Sequence, residues 1–569
     1  MKNIINKSGK INILWTLFLG LLFSCSESML DENPKDFLTP GNAYSKPAYI
    51  EQGIVGLHQQ ARTWWTQNTP ATTVMFSLGT DLSYYGENPG GGTMMNYEVN
   101  LTPTSGSSTI WNNSFGLIQK ANVLVEAITN LDETLWASPE EKNAFLSEAQ
   151  FFRALAYRNL VVLYGDVPLV DGVINEVKTD FVRSPKTEIY KLMEADLNFA
   201  ATNLPERGSE KASGRITQGA AWHLLSEVYI IQSKFQDAVT AASHVINDYG
   251  YALMTSRFGT KMGKDIFGSG DPYFDLFGYG NHNLTENTEA IWVLQIEPNI
   301  TGGIENPAER MFGTAYYRVG NTPDGFTAFR GDFVAGKYTG YTDTLGRPVS
   351  WTRPTNYLVY DIWGGGNWDL DLRNAEHNIK RNFYFDNPSS IYHGQKIDFS
   401  LYAPGQRSDP MMDTVQYIFP YFIKVASPLE HFTDPDRAGG GLHHKDIYAM
   451  RLAETYLLRA EAYLGLSQPD KAADDINVVR NRSKAIPVTA SEVTIDYILD
   501  ERARELYTEE WRMITLVRLE KLVERVRKYN NNPLRPGLNI KDHQNLWPIP
   551  QTEIDRNVDA VLEQNPGYK

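Results

Sequence analysis

The chain has 569 residues with 53 basic and 68 acidic side chains, a formal net charge of -15. Hydrophobic residues make up 42% and aromatic ones 12%, which excludes a disordered or collagen-like chain and supplies ample material for a core. With no basic patch along the sequence, the negative balance argues against a nucleic-acid partner. The length allows two to four average domains, or one large one with insertions.

At the N-terminus, Lys2, Lys7 and Lys10 precede an apolar run from Ile11 to Phe23. The run is short for a bilayer span and right for the core of a signal peptide. It leads into Leu22-Phe23-Ser24-Cys25, which resembles the bacterial lipoprotein processing box, although Phe23 is bulkier than that pattern prefers. The reading is a signal peptide over 1–24, lipidation at Cys25 and a tether over 25–41; a secretory peptide with an incidental cysteine is the alternative. Cys25 is the only cysteine, so disulfides, thiolate catalysis and cysteine metal sites are excluded for the mature chain. Acyl chains, at about 0.8 kcal/mol per buried methylene, would hold the protein on a membrane without a spanning helix.

Asn42 to Arg62 reads as a first helix, followed by Trp64-Trp65 and a loop-rich stretch from Leu78 to Gly106. There Asp81, Tyr84 and Tyr85 stand beside a turn-forming Gly-Glu-Asn-Pro-Gly-Gly-Gly run. Helical spacing resumes over Ile110 to Leu131. It returns after Ser138-Pro139-Glu140-Glu141, a capping box with proline at the first helical position, and stops at Gly165. Ile189 to Ala200 is amphipathic and leads to Gly214 through Tyr229.

Two stretches predict helical hairpins of one kind. In Ile447 to Ser483, apolar residues at Leu452, Tyr456, Leu457, Ala460, Tyr463 and Leu464 follow helical spacing. Gly465 and a Ser-Gln-Pro run stop that helix before Ala472, Ile476 and Val479 begin another. The earlier stretch carries Trp222, Leu225, Ser226 and Tyr229, then Ala238 nine residues on, the same offset as Tyr463 to Ala472. An aromatic, a small residue and a tyrosine in one helix with an alanine in the next is the tetratricopeptide pattern, in which small residues let helices approach and aromatics fill the gap between pairs.

Between about Tyr251 and His443 the helical period fades, and Gly, Asn, Asp, Pro and aromatic residues dominate, including Tyr360 and the Trp363-Gly-Gly-Gly-Asn367-Trp368 run. An unstructured loop of that size contradicts a compact fold, so a lobe of short strands, turns and small helices is expected. Common catalytic arrangements are absent: there is no phosphate loop, no dinucleotide fingerprint and no HExxH zinc helix. His443-His444 reads as a solvated pair. Asp369 with Asp371, and Asp434 with Asp436, alternate as in calcium loops but lack a closing glutamate in register, so no metal is assigned. Two carboxylates across a cleft could hydrolyse a glycosidic bond, but the sequence gives no separation between them. The charged stretch from Leu499 reads as a solvated helix face with close-range pairs such as Asp500 with Arg504.

Aromatic rings beside short polar residues in loops suit a sugar, whose C–H face stacks on indole or phenol and whose hydroxyls need Asp, Asn and Arg partners. The candidate ligand-binding residues are Trp64, Trp65, Asp81, Tyr84, Tyr85, Trp351, Trp363, Asn367 and Trp368, with no catalytic residue and no cofactor assigned.

Five stretches carry a family resemblance: Glu148 to Val170, the Arg451 to Tyr463 helix, Ile498 to Arg512, Leu546 to Ile554 and the ending Glu563 to Tyr568. In this order, over nearly the whole mature chain, they resemble the SusD/RagB family. The resemblance implies a mainly α fold, a scaffold of tetratricopeptide-like helical pairs with the loop-rich lobe inserted. It divides the chain into a helical region at 42–250, a ligand lobe at 251–443 and a C-terminal helical region at 444–569. It further implies a lipoprotein on the outside of a Gram-negative outer membrane that binds glycan without cleaving it and delivers it to a SusC-like, TonB-dependent transporter. A surface glycoside hydrolase and a protein-binding scaffold without sugar affinity are the rival readings.

Overall fold

The computed structural model describes residues 43–569 apart from 93, 260–269, 298–299, 335, 343, 429 and 431–441. The signal peptide, Cys25, the tether and the Asp434–Asp436 pair lie outside the described residues. Among those described, eleven helices have seven residues or more. They are α1 (Pro47–Thr66), α2 (Ser108–Asn130), α3 (Pro139–Tyr164), α4 (Lys186–Asn203), α5 (Gln218–Ile231) and α6 (Phe235–Asp248), then α7 (Leu452–Gly465), α8 (Pro469–Arg482), α9 (Ile495–Leu506), α10 (Arg512–Arg518) and α11 (Leu522–Tyr529). No described helix is long and apolar enough to cross a membrane.

Local signals set several of these ends. Ser138 caps α3 by accepting from the Glu141 N–H, while the Glu141 carboxylate reaches back to the Ala137 N–H, one residue earlier than a capping box requires. Gly165 ends α3 at φ 74°, a conformation that favours glycine. Gly465 works differently from the expected stop: it is the last residue of α7, and a Cβ there would meet the Phe235 ring at 2.7 Å. The left-handed residue is Ser467, at φ 58°.

The two hairpins are copies at the level of hydrogen bonds. Ser233 and Ser467, each four residues after the repeat tyrosine, take φ of 59° and 58°. Lys234 N–H bonds Tyr229 O and Gln468 N–H bonds Tyr463 O, both at 2.9 Å. Ala238 and Ala472 are fully buried. The copies pack together through Ile230, Ala238, Val239, Leu458 and Ala462, with Tyr229 and Tyr463 at the margin. From α1 to α8 each helix packs on the next, and α6 lies against α7 although the lobe separates them in sequence. This is a mainly α scaffold of tetratricopeptide-like pairs with the lobe inserted.

The lobe contributes short antiparallel pairings. Strand β1 (Ser83–Tyr85) joins the later β5 (Thr352–Pro354), and β2 (Ala290–Leu294) joins β8 (Ile447–Arg451), which runs directly into α7. A hairpin is formed by β3 (Phe333–Val334) and β4 (Lys337–Tyr338), and β6 (Ile379–Lys380) joins β7 (Tyr421–Phe422). The C-terminal segment returns to the first helices: Trp547 N–H bonds Leu163 O, Gln551 N–H bonds Pro103 O, and Asn565 bonds Tyr164 O.

Helix α9 overturns the expected solvated face. Glu501 and Glu505, four residues apart and so on one side of the helix, are fully buried. Glu505 accepts from Arg373, Arg451 and Arg482; Glu501 accepts from Arg373, Arg480 and Arg504. The expected Asp500–Arg504 pair does not form, because Arg504 turns to Glu501 and Asp500 accepts from Arg525. His443 is likewise buried, its Nδ1 accepting from the Lys445 N–H, with Nε2 at 2.9 Å from the Val425 carbonyl. Asp81, expected in an exposed loop, is buried between Arg512 and Arg525 at 2.7 Å from each.

Burial by itself would raise these carboxyls, but the guanidiniums outweigh it, holding Glu501 and Glu505 well below the usual range and Asp81 at about 2. Glu505→Gln is expected to destabilise the protein by about 3–5 kcal/mol, because it leaves buried guanidiniums without their charge partner. The shift is read from the urea midpoint, with Asp542→Asn, on an exposed pair, as the unshifted control. These carboxyls ionise more readily folded than unfolded, so their contribution is complete above an unfolded pKa of about 4 and drains away as pH falls toward 2. Urea midpoints from pH 6 to pH 2 should therefore fall mainly below pH 4.

Candidate functional site

The structure separates the candidate residues into core and surface. Trp64 and Trp65, 4% and 5% exposed, close α1 inside an aromatic cluster with Trp292 and Trp511. They are core and not loop residues, because α1 extends four residues beyond its expected end and carries them under α10 and β2. Tyr84 is buried beneath Arg353, and Trp351 is buried beneath Arg310. Trp363 is fully buried, its indole N–H donating to Leu358 O at 2.9 Å. For these five rings and for Asp81, an exposed binding role is corrected by the burial the structure assigns them.

Three candidates reach the surface. Tyr85 is half-buried, and its hydroxyl donates to Glu87, which pairs with Arg318 at 3.7 Å. Asn367 is half-buried and works as a staple: its Oδ1 accepts from the Ile486 N–H at 2.8 Å and from Arg480 at 3.2 Å. Trp368 is 41% exposed.

Trp368 belongs to a built platform. The turn Asp361–Trp363 drives the Trp363 ring inward and leaves Tyr360 outside, 44% exposed. Gly365 and Gly366, at φ 66° and 83°, then reverse the chain so that Trp368 returns alongside Tyr360, ring centroids 6.3 Å apart and planes within 12°. The Arg381 guanidinium lies over the indole at 4.7 Å. Its N–H groups donate to Val359 O, Asn374 O and Asn374 Oδ1, and Asn374 in turn donates to Trp368 O at 2.7 Å. These acceptors are all neutral, and burial pulls the Arg381 pKa below the ordinary arginine value. The rings are thus held in place before any ligand arrives.

Beside the platform opens a cleft of about 530 Å³ lined by Tyr360, Trp368, Asp369, Glu376, Asn382 and Lys396. Its walls offer ring faces together with carboxylate, amide and ammonium groups, a mixture that recognises a polyhydroxylated ligand by stacking and directed hydrogen bonds. Asp371 is not available for a metal, since both of its oxygens accept from Arg373, and the described residues hold no cluster of three His, Cys, Asp or Glu groups suited to an ion.

Tyr360 and Arg381 were missing from the sequence candidates. Tyr360 had a signal, an aromatic on the far side of the triglycine from Trp368; Arg381, thirteen residues beyond Trp368, had none. A second exposed ring pair also went unselected: Phe333 and Tyr338 on the β3–β4 hairpin, 5.0 Å apart, with Arg330 over Tyr338 at 3.8 Å.

Fold and cleft together define a helical-repeat protein that displays fixed aromatic rings from an inserted lobe. Comparison with known proteins gives the family. A model described as "Starch-binding associating with outer membrane" matches residues 30–230, and one described as "SusD family" matches residues 387–568. SusD-like protein P25 of Formosa agariphila is 24% identical over 97% of this chain and 99% of its own length. The starch-binding protein SusD of Bacteroides thetaiotaomicron is 26% identical over 77% of this chain and 75% of its own. Among solved structures, a laminarin binding SusD-like protein aligns with a TM-score of 0.63 at 22% identity, over 92% of this chain and 100% of that one. Surface glycan-binding protein A from Bacteroides thetaiotaomicron, in complex with laminarihexaose, aligns with a TM-score of 0.64 at 16% identity, over 91% and 99%. The chain belongs to the SusD/RagB family.

Trp64→Ala is expected to cost about 3–5 kcal/mol by opening a cavity in the tryptophan cluster, whereas Trp368→Ala costs no more than about 1 kcal/mol. Chemical denaturation of the two variants side by side checks the division into core and platform.

Proposed function

We propose that this protein captures a poly- or oligosaccharide at the outer surface of the outer membrane and passes it, uncleaved, to a SusC-like TonB-dependent transporter. The observation that carries the reading is the Tyr360–Trp368 platform, two exposed rings locked by Arg381 at the edge of a cleft with polar walls. A pyranose can lay its C–H face on the rings while its hydroxyls meet Asp369, Glu376, Asn382 and Lys396. The match to a starch-binding, outer-membrane-associated family model supports this, as do relatives whose names state that they bind starch, laminarin or glycan. In this reading an acylated Cys25 supplies the anchor and residues 26–41 the spacer. Tyr85 with Glu87, and the Phe333–Tyr338 hairpin, are further points of contact for a long chain.

Calorimetric titration of the purified protein against laminarin, starch and other polysaccharides, with the same mixtures assayed for shortened products, tests the proposal. Binding without product release is the expected outcome; product release would make the protein a hydrolase, and absence of all binding would leave a protein scaffold. Removing both rings, Tyr360→Ala with Trp368→Ala, should weaken binding about tenfold or more while the melting curve stays in place.

A further inference from the structure

A second cleft, of about 290 Å³, lies between the loop entering α5 and the segment leading into β2, and shares no lining residue with the first. Arg207, Glu210, Thr217, Tyr251, His282 and Asn283 are among its lining residues. His282 is 2% exposed, lies tilted against Tyr448 with ring centroids 4.4 Å apart, and has a buried Nδ1 with no hydrogen-bond partner among the described residues. Burial, and then the charge of Lys445, hold its pKa well below the ordinary histidine value, so the ring is neutral and carries one N–H. An orphaned buried N–H is costlier than a buried lone pair, which places the proton on Nε2, the other ring nitrogen of a residue that lines the cleft.

The other groups add donors and little acceptor capacity. The Arg207 guanidinium rests over Tyr251 at 5.2 Å and donates to Asn287 O at 3.2 Å, and no carboxylate among the described residues bonds it. Arg215 is held by Glu148 and Glu51. Glu210, the acid at the mouth, is turned onto the Gly208 N–H at 2.6 Å. Thr217, at the N-cap of α5, provides no side-chain cap, so the positive end of a fourteen-residue helix abuts the cleft. Leu284, Ile291 and Val293 give the cleft an apolar wall.

We infer that this cleft is a second binding site, for a small ligand bearing a carboxylate, either an acidic sugar residue such as a uronate or a free organic acid. Arg207 and the His282 N–H grip the carboxylate, and the apolar wall receives the carbon skeleton.

The test is the ring resonance of His282 in protein labelled with 13C-histidine, assigned by its loss in His282→Gln and followed at pH 7 during separate titrations with sodium glucuronate, glucose and acetate. Glucuronate should move the resonance and glucose should not. A response to acetate as well means that the carboxylate alone is read; a response to glucuronate without acetate means that the sugar ring is needed too. Arg207→Gln should weaken glucuronate binding about tenfold with an unchanged urea midpoint, and Arg207→Lys should retain part of it. Variants lacking Tyr360 and Trp368 should still bind glucuronate, which separates this site from the platform. An unmoved His282 resonance with glucuronate, or an equal response to glucose, overturns the inference.

Discussion

Two carboxylates one helical turn apart, Glu501 and Glu505, are fully buried, and the rest of the structure is arranged around supplying them with cations. The partners come from every quarter: Arg373 from the lobe, Arg451 from β8, Arg480 and Arg482 from α8, and Arg504 from α9 itself. Glu289, at the entrance to β2, shares Arg451 and Arg482 with Glu505. Taking so many charges out of water is costly, and the network gains little over a hydrophobic core in raw stability. What it imposes is position, since a buried carboxylate without its guanidinium is far costlier than the completed pair. The network thereby ties the lobe, the last repeat pair and α9 to one another.

That constraint reaches the Tyr360–Trp368 platform through single side chains. Arg480 donates to Glu501 with one nitrogen and to Asn367 with the other, and Asn367 sits directly before Trp368. Asp371, three residues past Trp368, is locked to Arg373, which also contacts both glutamates. The triglycine turn is thus pinned on its far side by the central network, and on its near side by the buried Trp363. A loop rich in glycine would ordinarily lose much conformational freedom on binding; here that ordering is completed during folding. Arg381 finishes the platform from below, with neutral oxygens fixing its fork.

The helical array explains how an insertion of this size is tolerated. Helices α6 and α7 pack as consecutive members of a stack although the chain leaves the array at Asp248 and rejoins it at Leu452. Exit and re-entry are joined in two steps: Ala252 N–H bonds Thr288 O just past the exit, and the β2–β8 pairing that begins two residues after Thr288 leads to Leu452. The array itself needs only nearest-neighbour contacts, as repeat architectures do, which leaves the lobe free to vary. The C-terminal segment then folds back on α3, joining the two ends of the chain that the family models match.

Helical periods, the proline-led start of α3, the Gly165 stop and the two tyrosine–alanine hairpins were legible in the sequence, because each depends on residues within a turn or two of one another. The hairpin copies agree down to the left-handed Ser233 and Ser467, a local backbone consequence of the same short spacing. The order of the family stretches was legible for the same reason, and of the candidate tryptophans Trp368 is the one the structure leaves exposed. Which aromatic rings would be exposed was not legible, since Trp64 and Trp368 have similarly polar neighbours in sequence and differ only in what packs on them from far along the chain. The acidic face of α9 misled for the same reason: its cations stand up to 132 residues away, as in Arg373 with Glu505, and no local pattern announces them. Short-range chemistry determined the elements and their turns; long-range burial decided which charges became the core and which rings were left facing solvent.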